Sequence, residues 1–201
     1  MQFAEVLARR RMVRSFRADP LEPDVLARVL AAANRAPSAG FAQGIDLIVL
    51  DGPDETVRYW DTTLGPDRRA GFPWPGLLMA PVLVVVCADP AGYVARYAEP
   101  DKAATGLGAG AGAWAVPYWF VDAGMAAENL LLAVVDEGLG ACFFGVFDHE
   151  PALRSALGIP GHVRTVGTIA IGRPDPEQVR PSRSSARGRR DVGDVLHRGR
   201  W

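Results

Sequence analysis

The chain has 201 residues, 49% of them hydrophobic and 22% charged, with a formal net charge of −1. That is enough chain for one domain with one substantial core, and the balance excludes a disordered polyelectrolyte. The charge is uneven: Arg180, Arg183, Arg187, Arg189, Arg190, Arg198 and Arg200 crowd a C-terminal arm from about residue 177, opposed there by Asp191 and Asp194. Such an arm is either a solvated end or a clamp on an anion such as a phosphate. No basic stripe with interleaved aromatics runs through the rest of the chain, so nucleic acid is not an expected partner.

In chain order, Phe3, Val6 and Leu7 recur at helical spacing, and this first helix delivers Arg9, Arg10, Arg11 and Arg14 together at its end. A second helix opens at Pro23 and carries Val25, Leu26, Val29, Leu30 and Ala33, stopping ahead of Pro37. Pro37-Ser38-Ala39-Gly40 reads as a turn. Residues 45–50 and 81–87 are short, rich in Val and Ile, and bounded by breakers, as strands are. Further strands are expected after Gly140, through Cys142, Phe143 and Phe144, and over 165–171, ended by Gly172 and Pro174. Helices fall between them at about 54–61, 93–97 and 117–137.

The last of these helices carries Trp119, Phe120, Val121, Met125, Leu130, Leu131, Leu132, Val134 and Val135, which leaves almost no polar face. A domain this small can hardly enclose such a helix, so a second subunit is expected to cover part of it. Cys87 and Cys142 sit in apolar runs and read as buried thiols, in keeping with a reducing cytoplasm. The N-terminus carries Glu5 and Arg9-Arg10-Arg11 in place of a signal-peptide core, and no run approaches the roughly 18 apolar residues of a membrane span. The expectation is a soluble cytoplasmic protein that engages no membrane.

Several catalytic patterns fail. Residues 106–112, rich in glycine, do not satisfy G-x-G-x-x-G and do not follow a strand, so they read as a flexible loop. Ala36-Pro37-Ser38-Ala39-Gly40 misses the first glycine of G-x-S-x-G. His149, His162 and His197 show no partner spacing for a triad or a zinc site, and no metal is expected.

Three separated segments instead occur in the order of one family. Arg10-Arg11-Met12-Val13-Arg14-Ser15-Phe16 resembles the R-R-S-x-R-x-F motif of the nitroreductase family, and residues 36–43 resemble its A-P-S-x-x-N-x-Q turn. The run from Asp122 through Glu128-Asn129, continuing over Gly138-Leu139-Gly140 to Gly145 and Asp148, is similar to the family's long central helix and following strand. Leu157 to Pro160, Ile169 to Pro174 and Val195 to Trp201 extend the resemblance over nearly the whole chain. It implies an α+β fold, a single nitroreductase-like domain over 1–201 with a mostly antiparallel central sheet flanked by helices, in an intertwined homodimer.

The resemblance also implies FMN as cofactor, with NADH or NADPH giving hydride and a nitroaromatic, quinone or similar electron-poor small molecule receiving it. Arg10 and Arg14, supported by Arg11, match positions that contact the phosphate, ribityl chain or pyrimidine edge, and Arg187 and Arg189 match a basic pair from the C-terminal segment. A dianion needs several fixed cations or amide donors. A cation such as Arg14 beside the flavin N1 and C2 carbonyl stabilises the anionic reduced ring. Gly145 matches the backbone that approaches N5, and lacking a side chain it permits that approach. Phe143 and Phe144 flank the ring, although strand alternation sends one of them into the core. Pro37, Ser38, Ala39 and Gln43 match the turn that the partner subunit offers to the flavin. The flavin carries the chemistry, so no catalytic side chain is named.

Departures from the pattern leave alternatives open. Met12 replaces the phosphate-binding Ser, a loss of about 1–2 kcal/mol of FMN affinity if nothing compensates. Phe41 replaces Asn, and Gly44-Ile45 replaces Pro-Trp, making the mouth of the site more apolar. A flavin-sequestering protein with little turnover, an oxidase or dehydrogenase of a specialised metabolite, and a deazaflavin in place of FMN remain alternatives.

Overall fold

The structure, a computed structural model, describes residues 1–178 and 187–201. Four strands form one antiparallel sheet in the order β1-β2-β4-β3: β1 (Ile45–Asp51), β2 (Val82–Ala88), β3 (Gly140–Phe144) and β4 (Arg164–Gly172). The central β2 is buried along its whole length, which is why it reads as an unbroken apolar run rather than an alternation. Its pairing with β1 sets Ile45 opposite Ala88 and Asp51 opposite Val82, and a register shift interrupts its pairing with β4 between Val86 and Cys87.

Strand alternation divides the core in two. Val82, Val84, Val86, Ile169 and Ile171 face the layer built by α2 (Pro23–Ala33) and α6 (Tyr118–Asp136). Leu83, Val85, Cys87, Cys142 and Ala170 face Tyr59 and Trp60 of α3 (Pro53–Thr63) and Leu153 of α7 (Glu150–Leu157). The remaining helices are α1 (Phe3–Arg9), α4 (Pro66–Arg69) and α5 (Pro90–Tyr97). Proline at the first turn starts α2, α3, α4 and α5, where its missing N–H costs nothing. Asp89 caps α5 by accepting from the Ala91 N–H at 2.8 Å. Each element read from the sequence is present, with ends shifted by a few residues.

Two expectations change. The glycine-rich segment is not a loose loop: single 3-10 turns at Ala103–Thr105, Leu107–Ala109 and Ala111–Ala113 fold it against α5, and the Trp114 indole N–H donates to the Leu107 carbonyl at 3.0 Å. Gly108 packs so close to the Ala98 backbone that a Cβ there would stand 2.6 Å away, so close packing accounts for this glycine. Second, α6 does have the length and composition of a membrane span, with mean hydropathy 1.3. It packs against α2 and the sheet through Trp119, Ala123, Ala126, Ala127, Leu130, Leu131 and Val134, as a core helix does. Among the described residues nothing covers Tyr118, Phe120 and Val121, which are exposed.

Candidate functional site

The arginine-bearing segment after α1 is laid along the free edge of β3. Met12 bridges Ala141 in parallel, and the Val13 N–H donates to the Ala141 carbonyl at 2.8 Å. The Phe143 N–H, which would otherwise face outward from an edge strand, meets the Met12 sulfur at 3.3 Å. Farther along, Phe16 bridges Pro174 and its N–H donates to the Gly76 carbonyl at 3.1 Å. Backbone pairing on both sides thus fixes the position from which Arg14 projects.

Arg14 reaches a cavity of about 360 Å³ on the α3 side of the sheet, lined also by Trp60, Phe72, Trp74, Phe144 and Gly145. Its guanidinium carbon lies 5.3 Å from the Trp74 ring centroid, a cation–π distance. Phe144 stacks on Trp60 with ring centroids 5.9 Å apart and planes 12° apart. Burial pushes the Cys142 thiol upward in pKa against the opposing charge of Arg14, and it pushes the Tyr59 phenol up to about 12. Both stay protonated at neutral pH, so neither supplies a nucleophile.

Not all expected residues come together. Phe143 and Phe144 point to opposite faces, Phe143 toward the α6 layer and Phe144 into the cavity. Arg10 lies 3.5 Å from Glu128 of α6. Arg11 lines a different concavity with Arg9, Val13 and Gly140. Arg187 and Arg189 are exposed, and no hydrogen bond or ion pair ties them to the cavity among the described residues; Arg180 and Arg183 lie outside those residues. Pro37, Ser38, Ala39 and Gln43 form a separate turn next to α5 and α6, away from the residues that line the cavity.

That turn is held by contacts the sequence did not announce. Asp122, 2% exposed, accepts from the Ala39 N–H and from the Tyr93 hydroxyl, both at 2.7 Å. The Arg96 guanidinium donates to the Gly40 carbonyl at 2.9 Å, and the Ser38 hydroxyl oxygen accepts from the Gln43 N–H at 2.9 Å. The tethers hold Phe41 and Gln43 at positive φ, with Phe41 72% exposed. Bulky residues adopt that backbone at a cost and keep it only where the surroundings over-determine it. Phe147 beside the cavity shares the feature, with φ of 49° and 83% exposure. The signal for Asp122 was a carboxylate set among the apolar and small residues of the first half of α6.

Comparison with known proteins decides the family. The model of the nitroreductase family matches residues 7–173. The chain belongs to the nitroreductase family. A 5,6-dimethylbenzimidazole synthase of Rhodospirillum rubrum is 32% identical, over 86% of this chain and 82% of that one. An NADH dehydrogenase of Thermus thermophilus is 29% identical over 84% and 85%. Among solved structures, an FMN-dependent nitroreductase from Clostridium difficile superposes with a TM-score of 0.65 at 22% identity, covering 98% of both chains. The four-stranded antiparallel sheet with its flanking helices is the nitroreductase-like α+β fold. Among the described residues no cluster of His, Cys, Asp and Glu suited to a metal ion occurs.

Proposed function

We propose that the protein is an FMN-dependent oxidoreductase that takes hydride from NADH or NADPH and passes reducing equivalents to a flat, electron-poor acceptor such as a nitroaromatic or a quinone. The observation that carries the reading is the convergence of Arg14, Phe144 and Gly145 on one aromatic-lined cavity in a nitroreductase-family fold. The residues fit a flavin. Arg14 has no carboxylate partner among the described residues and is free to face an anionic ring edge. Gly145 carries no side chain where the Phe147 ring lies, 2.6 Å from where a Cβ would stand, so a side chain there would displace that ring.

In this reading Arg14 would hold the pyrimidine edge, Phe144 and Gly145 would border the ring, and Arg10, supported by Arg11, would meet the phosphate with Arg187 and Arg189 from the arm. The bound flavin supplies hydride acceptance and donation. The chain's own part is to orient it, to stabilise negative charge through Arg14, and to exclude water through Trp60, Phe72 and Trp74. Met12 brings no hydroxyl to the phosphate; its sulfur is turned to the Phe143 N–H, so the arginines carry phosphate recognition. The protein acts as a homodimer in which the turn at Pro37, Ser38, Ala39 and Gln43 covers the flavin of the other subunit.

A second reading, an FMN enzyme that transforms a specialised metabolite, is favoured by the Rhodospirillum rubrum relative named for synthesis of 5,6-dimethylbenzimidazole. Mass spectrometry of the chromophore released on denaturation, followed by anaerobic stopped-flow mixing with NADH and NADPH, tests both. FMN that bleaches within seconds and recovers on adding a quinone supports the reductase. FMN that stays oxidised for many minutes with both nucleotides supports the metabolite enzyme, and absence of any flavin, with no binding of added FMN, ends both.

A further inference from the structure

One wall of the same cavity carries chemistry beyond the exclusion of water. Tyr59, Trp60, Thr63, Leu64 and Arg68 reach it from α3 and α4 and the link between them, Phe72 and Trp74 from the segment after α4. Six of the lining side chains are aromatic, counting Phe144 and Phe147, and the volume of about 360 Å³ is at the small end of ligand sites. Two guanidiniums and His149 line it, and no Asp or Glu does.

Charge is therefore unbalanced there. Arg69, next in sequence, is paired with Asp61 and with the Leu64 carbonyl. Arg68 has only a long 3.4 Å contact to the Thr63 carbonyl, and among the described residues it has no carboxylate partner. Trp60 is buried, and its indole N–H has no acceptor among the described residues. Aromatic faces with a free guanidinium at hand are the chemistry that recognises a flat ring bearing a carboxylate or sulfonate.

We propose that this wall binds a planar aromatic anion and that Arg68 is the residue that selects for its charge, so that the acceptor is an aromatic carboxylate or sulfonate rather than a neutral ring. The inference rests on the reading of the cavity as the flavin and acceptor site, with Arg14 assigned to the flavin and Arg68 to the ligand. The test is equilibrium binding to the protein as purified with its cofactor, without reductant, by calorimetry. The probes are 4-nitrobenzoate and the neutral 4-nitrobenzamide. Nitrobenzoate binds about ten-fold more tightly than the amide, and added salt narrows the gap. Arg68→Gln removes the preference while leaving the amide unchanged. Arg58→Gln, which deletes an equivalent charge from an exposed position on α3 outside the cavity lining, keeps it.

Equal affinity for the two probes, a preference that survives Arg68→Gln, no binding of nitrobenzoate at millimolar concentration, or release of the cofactor by nitrobenzoate would each overturn the proposal. Rapid reduction of neutral nitroaromatics alongside any of these leaves the reductase reading standing. A protein that holds no flavin at all, yet shows the Arg68-dependent preference, overturns the reductase and with it the anion's role as acceptor, leaving only the recognition of the anion by Arg68.

Discussion

Arg14 shows how one side chain links sheet edge and cavity. Backbone pairing of Met12 and Val13 with Ala141 aims it, and Trp74 receives its guanidinium at 5.3 Å. Arg14→Ala should weaken FMN binding by roughly 1.5–3 kcal/mol, the scale of a hydrogen bond to a charged group, and should lower the two-electron potential of the bound flavin. Fluorescence titration and a redox titration measure the two effects; if neither moves, Arg14 is not at the flavin. Gly40 gives a test of packing. Its φ is +60°, and a Cβ there would stand 2.6 Å from Tyr97, so Gly40→Ala combines backbone strain with overlap and should cost about 1–3 kcal/mol in denaturant unfolding. An unchanged midpoint would mean that the turn adapts. Arg10 and Arg11 read as one cluster in the sequence because helical spacing says nothing of how the chain leaves a helix. Once the segment extends along β3, successive side chains diverge, and Arg11 faces another concavity.

At the level of elements, the tethered turn is the most specific construction in the molecule. Asp122→Ala would leave the Ala39 N–H and the Tyr93 hydroxyl without an acceptor, a loss of about 2–4 kcal/mol from two unpaired donors. Chemical denaturation reads this; a loss below about 1 kcal/mol would show that the turn finds other partners. A second junction responds to pH. Glu150 at the start of α7 accepts from Arg164 at 2.8 Å and from the Thr165 N–H at 3.0 Å, and these contacts, the Arg164 bond foremost, hold its carboxyl at about 2. A depressed acid stabilises the fold above its unfolded value of about 4.3 and loses that contribution as pH falls toward 2, and Glu150→Gln should flatten that part of the acid limb. An identical acid limb in the variant would refute it. The strands and long helices were legible because buried runs and 3.6-residue periodicity are local signals. The cavity wall was not: Tyr59 and Trp60 sit in a helix that reads as polar, and only packing brings them to Phe144. The glycine-rich segment misled for the same reason, since its order comes from Trp114 and α5 rather than from its own composition.

For the whole molecule the open question is what covers α6. Its inner side packs on α2 and the sheet, while Tyr118, Phe120 and Val121 stay exposed, as do Phe3 and Leu7 of α1 and Phe41 on the strained turn. A single chain gains nothing from ordering Phe41 at positive φ and then leaving it in water; a second copy would supply the burial that offsets the strain. The arm of residues 187–201 points the same way, being exposed throughout, with Trp201 99% exposed. Burial by a partner of Phe3, Phe41, Tyr118, Phe120 and Val121, each partly exposed, would contribute a part of the about 1.5–3 kcal/mol of a full side-chain burial per residue on each copy, and this is the gain that would have to offset the cost of association. Val121→Asp places a charge on the uncovered side of α6, where the monomer tolerates it and an interface does not. Light scattering should give twice the chain mass for the natural protein and the single-chain mass for the variant, and, if the turn at Pro37, Ser38 and Ala39 covers the flavin of the other subunit as proposed, the variant should lose bound flavin in parallel. A natural protein of single-chain mass at micromolar concentration would refute the dimer. A monomeric variant that keeps its flavin would refute only the shared site, and would return the turn at Pro37, Ser38 and Ala39 to a purely structural role.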